Sequence, residues 1–127
     1  MQTISTHIEE SEKLTRLLGS WPSFHDAEIV SVELNRRPKV GATKPSATFQ
    51  IRLIEKDDDI FVRLLFDRVE DLKLEDFNHQ NVIYEMRIVD ATDGKRARVE
   101  IDTSFGLSGR FSCERVEVLS VSRLPKE

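Results

Sequence analysis

Apolar residues along the chain recur first at helical spacing and then, from about residue 26 onward, at every second position. Leu14, Leu17, Leu18 and Trp21 would line one side of a helix. Thr6-His7-Ile8-Glu9 has the spacing of a capping box, in which hydroxyl and carboxylate each satisfy a free amide at a helix start. Gly19 suits the left-handed position that closes a helix, and Pro22 prevents its continuation. The pattern predicts a helix over residues 6–18.

The period-two stretches predict strands. Val30, Val32 and Leu34 alternate with polar residues in a strand beginning near Asp26. Arg36 to Pro45 carries prolines, a glycine and basic residues and reads as an exposed loop. Ala47, Phe49, Ile51 and Leu53 form the next alternation, and the acidic turn 55–59 joins it to Ile60, Val62, Leu64 and Phe66. Leu72, Leu74 and Phe77 lie in an irregular acidic stretch, 67–81, that fits a short strand or a helical turn. Val82, Tyr84, Met86 and Ile88 resume the alternation. Asp93-Gly94 then turns the chain into Val99 and Ile101, a hairpin signature. Phe111 and Cys113 share one parity, Val116 and Val118 the other, which predicts a bulge at Glu114-Arg115. The expected fold is α+β: a mainly antiparallel sheet of about seven strands with one N-terminal helix packed on it.

A chain of 127 residues has room for one domain, here 1–127, with a core of its own. The single cysteine, Cys113, forms no intrachain disulfide and fits a reducing compartment. Gln2 and Thr3 follow Met1 where a signal peptide would be basic, and no apolar run approaches the roughly 18 residues of a membrane span. A cytoplasmic protein without membrane contact is expected. The net charge of −4 argues against nucleic acid as partner.

Two polar stretches carry the candidate chemistry. His25, Asp26 and Glu28 lie where the helix gives way to the first strand, and Asn78, His79, Gln80 and Asn81 precede a later one. Imidazole and carboxylate suit several divalent metals, so His25, Asp26, Glu28 and His79 define one reading: a small metal-dependent enzyme or ligand-binding protein. No ligand spacing among them matches a known metal motif, and local bonding to the backbone explains such residues better, with His25 and Asp26 orienting the turn. Cys113 shares the Phe111 face and reads as a buried small apolar residue rather than a nucleophile. With no phosphate loop and no nucleophile elbow, no catalytic residue, metal or cofactor is expected. Asn78 to Asn81 fits a turn device or a recognition loop equally. Asp57, Asp58 and Asp59, and then Asp67, Glu70 and Asp71, crowd adjacent turns. They read as solvated loops or as an acidic patch that steers a cationic partner.

Read in order, three motifs resemble the bacterial immunity protein 50 family. They are Trp21-Pro22-Ser23-Phe24-His25-Asp26-Ala27-Glu28, Phe77-Asn78-His79-Gln80-Asn81, and Phe111-Ser112-Cys113-Glu114-Arg115-Val116-Glu117-Val118. The resemblance implies an antidote from a polymorphic toxin system that binds and neutralises a cognate toxin without catalysis. It implies no set of toxin-contacting residues, so matching positions such as His25, Asp26, Asn78 and His79 can equally maintain the fold. An acidic surface would suit a basic nuclease as the toxin. The expected state is a monomer or a weak homodimer.

Overall fold

In the computed structural model, which describes residues 5–36 and 44–124, the period-two stretches become strands of one sheet. The elements are β1 (Ile8–Glu9), α1 (Glu12–Leu18), β2 (Glu28–Asn35), β3 (Ser46–Glu55), β4 (Asp58–Asp67), β5 (Glu70–Glu75), β6 (Val82–Asp90), β7 (Ala97–Phe105), β8 (Ser108–Cys113) and β9 (Arg115–Leu124). Across the sheet the order is β1-β9-β4-β3-β2-β6-β7-β8-β5. The sheet is mixed: β1 pairs with β9 in parallel, and the other pairings are antiparallel. Nine strands among the described residues thus replace the expected count of about seven.

One of the two additional strands comes from the predicted helix. The Thr6 amide and hydroxyl donate to Asp90 on β6 (3.1 and 2.7 Å) instead of capping a helix. Val116 donates to the His7 carbonyl at 3.0 Å, drawing residues 8–9 into the sheet. Glu10, at φ 61°, breaks the path, and α1 starts only at Glu12. Its end is as predicted, with Gly19 at φ 88° donating to the Thr15 carbonyl. The Leu14 side chain is buried, while Leu17, Leu18 and Trp21 pack at the core's margin.

The second additional strand comes from a corner. The β4–β9 ladder runs to Asp67 opposite Arg115, and the β5–β8 ladder begins at Glu70 opposite Ser112. Between them the chain turns at Arg68, at φ 54°, and at Glu114, which donates to the Asp67 carbonyl. Strands that pass between packed layers bend in this way. The parity change read at Glu114-Arg115 is this corner. The acidic stretch after it resolves as β5, not as a helical turn. The loop expected over 36–45 lies outside the described residues at 37–43.

Local bulges shift two predicted faces. An irregularity between Ile29 and Ser31 leaves Ile29 buried and Val30 exposed. Leu34 is also exposed, at the far end of β2. Irregularities around Ile83 turn that residue and Met86 inward and leave Tyr84, predicted to face the core, outside. The β3–β4 turn is tighter than the acidic stretch suggested: Lys56 and Asp57 alone span it, both at positive φ, as a type I′ hairpin requires.

The two halves of the sheet meet face to face. Phe111 on β8 lies 6.1 Å from Phe49 on β3 and 5.0 Å from Phe66 on β4, ring centre to ring centre, although these strands are not neighbours. Such aromatic pairs contribute about 0.5–1.5 kcal/mol each beyond the area they bury. Truncating Phe111 removes this contact from a closely packed interior. Phe111→Ala is expected to lower the unfolding free energy by about 3–5 kcal/mol, and Val30→Ala by less than about 1 kcal/mol, as read from urea denaturation midpoints.

Candidate functional site

Between its two halves the sheet is narrow, and both polar motifs meet there. β2 and β6 share one ladder pair, Glu28 opposite Val82. Hydrogen bonds from flanking segments extend the seam: Asp26 N–H to the Ile83 carbonyl (2.8 Å), Ile83 N–H to Ala27 (2.8 Å), Ile29 N–H to Asn81 (2.9 Å) and Met86 N–H to Ser23 (3.0 Å).

The first motif is pinned at this seam by apolar anchors. Phe24 and Ala27 are buried, and the Phe24 ring meets Trp21 edge-on at 5.8 Å. Phe24 and Asp26 both adopt positive φ (64° and 66°), which is uncommon for residues other than glycine. The tight path turns His25 and Asp26 outward, with their side chains 54% and 77% exposed. His25 donates through Nδ1 to the Tyr84 carbonyl at 2.8 Å and packs edge-on against the Tyr84 ring at 5.4 Å. The remaining nitrogen, Nε2, stands 3.6 Å from Asp26 Oδ2. The sequence places these neighbours on opposite faces of a strand, but they sit in a turn ahead of β2, where they can approach each other. His25 and Asp26 help to line a groove of about 580 Å³ between the end of α1 and the end of β3, where Ile54 is exposed.

The second motif divides in two. Asn81 is buried and its amide is fully used. Oδ1 accepts from the Asn78 and Leu107 amides, both at 2.9 Å, and Nδ2 donates to the carbonyls of Ile29 (3.2 Å) and Asn78 (3.1 Å). This one side chain therefore ties β2, the 78–81 turn and the β7–β8 turn together. Gly106 completes the arrangement at φ +87°, where a Cβ would stand 2.3 Å from the Gln80 carbonyl oxygen and 2.5 Å from Asn81 Oδ1. Asn78, His79 and Gln80 face outward. The His79 ring donates to Asn78 Oδ1 at 2.8 Å and meets the half-exposed Phe105 edge-on at 5.3 Å. Phe77, next to the motif, is 57% exposed.

The residues of the metal reading are held in separate clusters. His25 is bound to Tyr84, His79 to Asn78, and Glu28 lies 3.7 Å from Arg52. Among the described residues no three His, Cys, Asp or Glu side chains are placed to hold a metal ion. Cys113 is buried, and loss of water around the thiol pushes its pKa up to about 12. A thiolate nucleophile does not form there near neutral pH.

The acidic patches also differ from expectation. Asp58 pairs with Arg123 (2.6 Å), Asp59 with Arg52 (3.1 Å) and Asp67 with Arg115 (3.1 Å), while Glu70 pairs with Lys44. Much of their charge is answered within the chain, leaving Asp57 and Asp71 outside these pairs. Tyr84 and Phe105, the exposed aromatic partners of the two histidines, went unmarked in the sequence: alternation cannot locate the irregularities of β6 that turn Tyr84 outward, and Phe105 lies past the alternating run that ends at Ile101.

A family model described as Immunity protein 50 matches residues 10–124. No curated protein and no solved structure matches this chain. No helix among the described residues is long and apolar enough to cross a membrane.

Two outcomes check the division between anchored and outward-facing side chains. Asn81→Ala orphans the buried Leu107 amide and loosens the seam. It should cost about 2–4 kcal/mol of unfolding free energy in chemical denaturation, whereas His25→Ala should cost less than about 1 kcal/mol. Iodoacetamide at pH 8 should leave Cys113 unmodified in the native protein and alkylate it in urea, as read by intact-mass spectrometry.

Proposed function

The chain belongs to the immunity protein 50 family, and we propose that it is a cytoplasmic antidote that binds a cognate polymorphic toxin stoichiometrically and blocks it. The observation that carries this reading is the family match across residues 10–124, which spans the seam and both of its polar motifs. Binding without turnover asks for a rigid surface rather than convergent reactive groups. The outward-facing residues of the seam suit that requirement: they are exposed aromatic, imidazole and carboxylate side chains on a closely pinned backbone. Preorganised aromatic side chains lose little conformational entropy on binding and often anchor protein interfaces.

In this reading His25, Asp26 and Tyr84, with His79 and Phe105, belong to the contact surface, while Phe24, Ala27 and Asn81 hold it in shape. Co-expression with the toxin encoded beside the gene should restore growth and yield a co-purifying one-to-one complex. A double variant, His25→Ala with Tyr84→Ala, should stay folded and bind at least about tenfold more weakly. Failure of the folded wild-type protein to protect against a demonstrably active toxin would overturn the proposal.

A further inference from the structure

The outer face of β5, β8, β7 and β6 carries cations that lack carboxylates of their own. Strand register places Lys73, Arg110, Glu100 and Arg87 in one row across the four strands, each directly opposite the next. Directly opposite side chains on a sheet have Cβ atoms about 4.5–5.5 Å apart, so Lys73 and Arg110 repel. The nearest acid in the row does little to relieve them, because Glu100 is bound by Arg87 at 2.6 Å. Arg98 and Arg110 reach the Glu100 carboxylate only as longer-range attractions, behind that hydrogen bond, in holding its pKa down. Arg98 stands one row along, opposite Ser112. Glu70, opposite Ser112 on the other side, is taken by Lys44 and Arg96.

Lys73, Arg98 and Arg110 are all exposed, and among the described residues none of the three forms an ion pair. They line a groove of about 510 Å³ with Arg96 and the Ser112 hydroxyl; of the carboxylates that also line it, Glu70 and Glu100 are engaged by other cations, and Asp71 is the one outside those pairs. A like-charged pair in direct register weakens the free protein, and an anion between the two would convert repulsion into attraction.

We propose that this groove receives an acidic segment of the toxin, with carboxylates seated between Lys73, Arg110 and Arg98. The assignment rests on the antidote reading and gives that reading a face and a partner chemistry. The charged row ends at Arg87 on β6, the strand that also presents Tyr84, so the row and the exposed aromatic residue share one strand.

Two variants test it. Arg98→Gln/Arg110→Gln removes the cations while keeping long polar side chains. It should weaken calorimetrically measured toxin binding at least about tenfold at about 50 mM salt, with a smaller difference at about 500 mM. Lys73→Glu replaces repulsion by attraction, so the free protein should melt about 1–5 °C higher while binding the toxin more weakly. Unchanged affinity in the double variant would overturn the groove and leave the antidote reading standing. A melting temperature that does not rise in Lys73→Glu would overturn the argument from repulsion. Competition by inorganic phosphate as strong as that by a glutamate-rich peptide would reassign the groove to free anions. A wild-type protein that does not bind an active toxin would remove the antidote reading and this inference with it.

Discussion

A sheet whose middle strands share one ladder pair cannot be held together there by backbone hydrogen bonds alone. β2 and β6 meet at Glu28 and Val82, so the two halves need another source of cohesion. It comes from packing: Phe111 lies over Phe49 and Phe66, and Ile51, Val62, Ile83 and Val99 are all fully buried around them. The corner at Arg68 and Glu114 makes that closure possible, because it lets two strands serve both halves in turn.

The seam that backbone pairing leaves short is completed by side chains. Asn81 makes four hydrogen bonds to four backbone groups, which is the full capacity of its amide. Gly106 belongs to the same device, since any side chain there would displace the carboxamide or the Gln80 carbonyl. Phe24 and Ala27 do the corresponding work in the turn ahead of β2 by burial. With so much of the motif committed inward, the outward side chains of His25, Asp26 and His79 have a stiff foundation. His25 bonds across the seam to the Tyr84 carbonyl and His79 to its neighbour Asn78, yet all three side chains stay exposed to a partner.

The long strands and both hairpins were legible because alternation reports directly on which side of a pleat is buried. Phe49, Ile51, Val62 and Leu64 lie where their spacing places them, and Asp93-Gly94 makes its turn. The misread positions are those where a distant group intervenes. Thr6 and Glu9 have capping-box spacing, yet Asp90, 84 residues from Thr6, takes the Thr6 hydroxyl and amide. Tyr84 and Val30 follow their period and still face outward, because irregularities in β6 and β2 add a residue that pattern cannot announce. The site was legible only in part. Its residues stood out by type, but the inward role of Asn81 depends on Leu107 and Ile29, neither of which has a polar side chain. The acidic runs looked like open charge because Arg52, Arg115 and Arg123 come beside them only through strand register.

The place of β9 governs how the chain reaches this state. Among the described residues it is the last strand in sequence, yet in the sheet it lies between β1 and β4. Half of the fold therefore cannot close until β9 has been synthesised, and the pairings that close it join residues 48 to 108 apart in sequence. Sheets dominated by such distant pairings tend to fold in milliseconds to seconds, later than helical domains of similar size. At roughly 5–20 residues per second, translation delivers β3 and β4 several seconds before their partner emerges. During that interval β4 has one bare edge, and the apolar side chains of the β3–β4 hairpin await the strand that completes their layer. Completion of the sheet is thus tied to the synthesis of β9, and a nascent molecule lacking it would have to be shielded rather than simply waited for.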